Sequence, residues 1–223
     1  MKNMKKMMYA LLAAAFLSGC AQTVEKDKGP TFFPPLPQSP KLQFLLSISD
    51  EEDIGGKQSS GIKEWLIGTR PATKQIARPQ DIASSKGKIY ILDRTFKKVL
   101  FIDLEKKQLD FIKDENEGAL GDPMGLWVTE DDVKYVADVA RKQILVFGKD
   151  NKFVRAYGET GQFERPSDVA VYQNRIYVAD FTKMAVVVVD KDSGKTVQTI
   201  GEPGEATGKF NRPTHVSVDQ QGN

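Results

Sequence analysis

Four prolines, Pro79, Pro123, Pro166 and Pro213, lie 44, 43 and 47 residues apart, and each opens the same short phrase. The phrases read Arg78-Pro79-Gln80-Asp81-Ile82, Asp122-Pro123-Met124-Gly125-Leu126, Arg165-Pro166-Ser167-Asp168-Val169 and Arg212-Pro213-Thr214-His215-Val216. In the first three copies an aspartate follows the proline by 14, 15 and 14 residues, closing the runs Ile89-Tyr90-Ile91-Leu92-Asp93, Lys134-Tyr135-Val136-Ala137-Asp138 and Ile176-Tyr177-Val178-Ala179-Asp180. A chain that repeats at this period must stack copies of one unit, because a single unit so short cannot bury its own apolar face.

Each unit resolves into four short strands. A polar turn (Ser85-Lys86-Gly87, Glu130-Asp131-Asp132, Gln173-Asn174-Arg175) reverses the first strand into the tyrosine-containing one. A continuous apolar run follows (Val99–Ile102, Ile144–Phe147, Val186–Val189), then a more alternating one (Gln108–Ile112, Phe153–Tyr157, Thr196–Ile200). Continuous runs suit strands covered on both faces, and alternation suits a rim that meets water. A repeat of about 45 residues built only of short strands predicts an all-β fold, a β-propeller of four-stranded blades. The links between units, Gly158 to Pro166 and Gly201 to Pro213, carry glycines for positive φ and one phenylalanine, Phe163 or Phe210, to plug the gap between blades.

The pattern Gly-x-x-Gly-x-Phe-x-Arg-Pro followed by Tyr-Val-Ala-Asp resembles the NHL-repeat family of six-bladed propellers, over roughly residues 61 to 223. The resemblance implies a fold and leaves activity open, since it extends both to binding proteins and to lyases that hold a metal in the central channel by histidines.

The N-terminus has the form of a secretory signal: Lys2, Lys5 and Lys6, then an apolar stretch from Met7 to Leu17 that is too short to span a bilayer. It ends in Leu17-Ser18-Gly19-Cys20, which resembles the bacterial lipobox. The resemblance implies cleavage after residue 19 and acylation of Cys20, the chain's one cysteine. The chain is thus expected outside the cytoplasm, held to a membrane by its lipid, against the alternatives of an ordinary signal peptide cut near here or an uncleaved anchor; Ala21 in place of aspartate resembles the Gram-negative pattern for onward transfer, which implies the outer membrane in such a host. Of 32 basic and 30 acidic residues, 29 and 30 remain after residue 19, and no basic cluster is large enough to follow a phosphate backbone. Nucleic acid is therefore not an expected partner.

Residues 20–40 carry five prolines between Pro30 and Pro40, which predicts a semi-rigid tether of roughly 3.1 Å per residue. The globular part is expected from 41 to 223. Strand-like runs at Lys41 to Ser49 and Ile62 to Ile67 are expected to pair with strands near a C-terminus. About three full blades plus partial ones fit the length, where the resembled family has six, so the chain reads as the front part of a longer propeller, incomplete at its C-terminal end.

Two residues past each repeat proline stand Asp81, Gly125, Asp168 and His215. First strands line a propeller's channel, so these positions form a ring at one depth. Asp81, Asp168 and the single histidine are candidate ligands of a divalent cation, against the alternative that each carboxylate caps neighbouring backbone N–H groups. Asp93, Asp138 and Asp180 recur in every unit and are expected to close turns. Arg94, Lys97, Lys98, Arg141, Lys142 and Lys183 fall on equivalent loops and form a candidate binding face for an acidic partner. Trp65 and Trp127 are assigned to the core. No Cys-x-x-Cys-His, His-Glu-x-x-His or phosphate-cradling glycine loop occurs, so no haem, nucleotide or redox cofactor is implied. The expected role is a lipid-anchored extracytoplasmic module that binds or scaffolds an envelope protein, peptide or glycan. The alternative is a metal-dependent lyase or hydrolase with its site in the central channel.

Overall fold

The computed structural model describes residues 30–35, 37–55 and 74–223. Cys20, the apolar leader, the run from Ile62 to Ile67 and Trp65 lie outside the described residues. The chain divides into two compact units, Met1–Leu46 and Ser47–Asn223.

In the first unit, β1 (Thr31–Phe33) pairs antiparallel with β2 (Leu42–Phe44), Thr31 opposite Phe44. Part of the proline-rich segment, expected as an extended spacer, is therefore a strand. The aromatic Phe32 and Phe33 favour extended, paired backbone, and Pro34 falls just past the last paired residue, where its missing N–H costs no ladder bond.

The second unit is all-β and contains three four-stranded antiparallel blades of a propeller, each laid down in chain order. The first blade holds β3 (Pro79–Ser85), β4 (Lys88–Asp93), β5 (Lys98–Asp103) and β6 (Gln108–Phe111). The second holds β7 (Pro123–Val128), β8 (Lys134–Asp138), β9 (Gln143–Phe147) and β10 (Phe153–Tyr157), and the third β11 (Pro166–Tyr172), β12 (Arg175–Asp180), β13 (Ala185–Asp190) and β14 (Thr196–Ile200). The residues following Pro213 begin a fourth copy of the motif and belong to no ladder among the described residues.

Burial follows the strand order. β8 is buried at every position and β13 at all but its last, whereas β14 is exposed throughout. Alternate side chains of neighbouring blades meet in seams. Tyr90, Leu92 and Val99 of the first blade pack on Leu126, Val136, Leu145 and Phe147 of the second. Ala137, Ile144 and Val146 then pack on Val169, Val171, Ile176, Val178, Val187 and Val189 of the third, with Phe163 from the link 1 % exposed among them. The expected plug is thus in place, and at about 25 cal/mol per Å² its buried ring is one of the larger apolar contributions to that seam. On its other face the first blade is covered by Ile48, Ile54 and Ile76, which pack against Ile91, Leu100, Ile102 and Leu109. This N-terminal segment reaches the blade as an Asx-type turn, with Asp50 Oδ1 accepting from the Glu52 N–H at 2.8 Å and Asp53 Oδ2 from the Ser49 N–H.

One irregularity recurs in all three blades and bears directly on the candidate site. The register slips between Pro79 and Asp81, between Pro123 and Gly125, and between Pro166 and Asp168. Proline opens the strand without a donor, and the residue after it is an unpaired bulge that re-aims the next side chain.

Candidate functional site

The bulge sets what Asp81 and Asp168 can do. Asp81 Oδ1 accepts the N–H of Ile82 at 2.7 Å, and its Oδ2 accepts that of Leu126 in the next blade at 2.7 Å. Asp168 repeats the arrangement, with Oδ1 on the Val169 N–H at 2.8 Å and Oδ2 on the Val216 N–H at 2.9 Å. Each carboxylate is a latch from one first strand to the residues that follow the repeat proline of the next unit. Gly125 occupies the same place in the second blade because nothing larger fits: a Cβ there would stand 2.6 Å from Asp168 Cα and 2.9 Å from the Ser167 carbonyl oxygen. Ser167, the bulge residue, donates from Oγ to the carbonyls of Ala179 and Pro213, each at 3.1 Å, and adds a second tie to the fourth unit.

First strands line one axial cavity of about 300 Å³, walled by Asp81, Ile82 and Ser84, by Leu126 and Trp127, and by Asp168, Val169 and Val216. Burial pushes the Asp168 carboxyl up to about 6; the Val216 and Val169 N–H groups pull it back, the charge of Asp81 adds to the rise, and His215 opposes it. Asp81 and Asp168 therefore share this cavity. His215 is exposed, with Nδ1 at 3.0 Å from Thr214 Oγ1. Among the described residues no group of three or more His, Cys, Asp or Glu is spaced to hold a metal ion. The donor set present does not fit a closed metal centre, since four or more ligands are the rule and both carboxylates already accept two backbone donors.

Asp93, Asp138 and Asp180 are wholly buried and belong to the framework. Asp180 accepts the N–H groups of Glu164 and Arg165, just before the repeat proline, and those of Thr182 and Lys183 in the following loop. Asp93 does the same for Ala77, Arg78, Thr95 and Phe96; burial raises its carboxyl, but these four donors outweigh that and hold it below its ordinary value. Asp138 receives Gly121, Asp122 and Arg141. Each side chain thus closes the loop after its strand, as expected, and also fixes the chain entering the blade.

Five of the six basic residues, Arg94, Lys97, Arg141, Lys142 and Lys183, occupy equivalent loops after the second strands, and Lys98, expected in such a loop, opens β5. Four of the six are engaged locally. Arg94 pairs with Asp122 at 3.4 Å, Lys98 with Asp114 at 2.9 Å, Arg141 donates to the carbonyls of Glu117 and Ala119, and Lys183 to that of Gly161. Lys97 and Lys142 share a left-handed backbone, φ 54° in both, that turns the chain into the third strand. Trp127, assigned to the core from sequence, is half-buried and lines the axial cavity.

One polar cluster was invisible in the sequence pattern. Tyr90 donates its hydroxyl to Asp132 across the first seam, Lys88 Nζ stands 2.9 Å from Asp132 Oδ2, and the fully buried Lys134 donates to the carbonyls of Asp132 and Gly148 at 2.7 and 3.2 Å. Burial lowers the Lys134 ammonium from its ordinary value. Burial raises the Asp132 carboxyl, but Tyr90, Lys88 and Lys134 together hold it low. The two ends of the Tyr90–Asp132 bond are 42 residues apart, close to the repeat period, but that spacing by itself singles out no pair.

No protein-family model matches the chain. Among solved structures the chain is similar to a hydrazine synthase of Kuenenia stuttgartiensis, at 18 % identity and TM-score 0.53, covering 70 % of this chain and 42 % of that one. It is also similar to a virginiamycin B lyase from Staphylococcus aureus, at 16 % identity and TM-score 0.52, covering 67 % and 48 %. A protein of unknown function from Bacteroides thetaiotaomicron matches at 19 % identity and TM-score 0.51, covering 70 % and 47 %. The chain spans less than half the length of these structures, and at such identities the likeness is one of fold, the β-propeller.

Proposed function

We propose that this chain is an NHL-type propeller anchored by a lipid on Cys20 outside the cytoplasm, where it binds or scaffolds an envelope protein, peptide or glycan. The observation that supports a module without chemistry of its own is the commitment of its recurrent acids. Asp81, Asp168, Asp93, Asp138 and Asp180 all accept backbone N–H groups. Carboxylates used this way stiffen a disc whose loops differ from blade to blade, and rigid scaffolds with variable loops favour recognition.

The anchor is tested by labelling cells that express the chain with a radioactive fatty acid. Label on the wild type, its loss in Cys20→Ala, and release of that variant from the membrane fraction are the expected results; an unlabelled wild type overturns the anchor. The second reading, a metal-dependent lyase or hydrolase, draws on the cavity shared by Asp81 and Asp168 and needs donors supplied by further blades. Stoichiometric metal in the purified protein, lost in His215→Ala, would establish it over the binding role.

A further inference from the structure

Five of the eleven large apolar side chains that stand exposed among the described residues fall within one short stretch: Phe33, Leu42, Phe44, Leu45 and Leu46, each more than half exposed. The hairpin of β1 and β2 puts three of them on one face. Thr31 pairs with Phe44, Phe32 with Gln43 and Phe33 with Leu42, and paired residues share a face while the next pair turns to the other. Thr31, Phe33, Leu42 and Phe44 therefore form one face, apolar but for a hydroxyl, and Phe32 and Gln43 form the other. The Lys41 N–H donates to the Phe33 carbonyl at 2.9 Å and closes the ladder at its loop end.

Three residues per strand make too small a hairpin to hold by itself in water, and an apolar face of this kind needs a surface to cover it. Position and charge say which one. Thr31 lies eleven residues after Cys20, a reach of at most about 40 Å for a fully extended chain. The ladder returns Phe44 to Thr31, so the residues between them add nothing to that reach. A chain acylated at Cys20 thus keeps this face close to the bilayer, where contact is intramolecular and the effective concentration high. Between Asp27 and Asp50 the charged residues are Lys28 and Lys41, both basic, so the segment carrying the face has no carboxylate to oppose anionic headgroups. We infer that the β1–β2 hairpin docks through Phe33, Leu42 and Phe44 into the headgroup boundary of the membrane that holds the lipid. Apolar area buried there adds to acylation, and two such signals give stable attachment where a single acyl chain binds reversibly.

This contact rests on the proposed lipid at Cys20, and the two fail differently. The full chain is produced as the lipoprotein with one added cysteine, Leu42→Cys or Gln43→Cys, labelled with an environment-sensitive fluorophore and reconstituted in vesicles of phosphatidylethanolamine and phosphatidylglycerol. With Cys20 acylated, the added cysteine is the one thiol that reacts. The label at 42 should emit at shorter wavelength and be quenched several-fold more than the label at 43 by lipids spin-labelled near the headgroup. Phe33→Ser/Phe44→Ser should abolish that difference while the protein still floats with the vesicles. A chain that does not float refutes the anchor and the hairpin contact with it. A chain that floats with equal quenching at 42 and 43 refutes the hairpin contact alone. Short-wavelength emission at 42 without quenching by lipid also overturns it, because protein then covers the face, as the propeller unit or a second copy would.

Discussion

Asp180 receives four backbone N–H groups from two separate stretches of chain, two entering the blade and two leaving the second strand. Removing the acceptor strands all four at once. Asp180→Ala is expected to lower the unfolding free energy by about 3 kcal/mol, read by urea denaturation, with any ligand affinity unchanged; unchanged stability would remove the aspartate from the framework. Asp168 answers differently to pH. Its carboxyl is raised from the usual 3.8 to about 6 in the folded chain, so the native state holds its proton more tightly than the unfolded state does. This group's contribution to stability is therefore fully present below about pH 4 and is lost as the pH rises to about 6. Asp168→Asn keeps an oxygen to accept a backbone N–H and has no proton to lose. Relative to the wild type it should gain stability between pH 4 and 6 and hold that gain at pH 7. A stability difference that does not change with pH would contradict the shift.

Strands in this fold are joined to their neighbours by polar ties as well as apolar seams. At the first seam Tyr90 and Asp132 connect β4 to the turn after β7, with Lys88 and Lys134 neutralising the acid. A buried acid surrounded by three donors leaves all of them stranded when it is removed. Asp132→Ala should cost about 3 kcal/mol and Tyr90→Phe about 1 kcal/mol. In the double variant the two losses should fall short of their sum by about 1 kcal/mol, the coupling of residues in direct contact. Simple additivity in chemical denaturation would show that the hydrogen bond contributes nothing across the seam. This cluster was not legible in advance. A lysine opening a strand and an aspartate in a turn each pass for solvated surface, and only the stacking of one blade on the next buries Lys134 completely. The mid-strand tyrosines, by contrast, announced themselves by recurrence.

Among the described residues of the propeller unit, the second blade is packed on the first through one cluster and on the third through another. β14 is exposed along its whole length. Protection against amide hydrogen exchange should follow that gradient, slowest in β8 and β9 and fastest among the paired strands in β14. Equal protection across the three blades in exchange mass spectrometry would mean that the unit opens only globally. The blades themselves were legible from residue spacing. The bulge after each proline was not, because a register slip of one residue leaves the alternation of the strand nearly unchanged in sequence while re-aiming Asp81 and Asp168.

The sequence alone determined the three four-stranded blades of the described residues, the strand order within each and the turn-closing role of Asp93, Asp138 and Asp180. All of these depend on local period and turn chemistry, which residue identities carry directly. Tertiary structure decided which acids were free. Gly125 yields its space to Asp168, Asp81 is taken by Leu126, and Tyr90 finds Asp132. The reason is that hydrogen bonds across a seam join residues a full repeat apart, and whether a partner arrives depends on the length of a turn in the neighbouring blade.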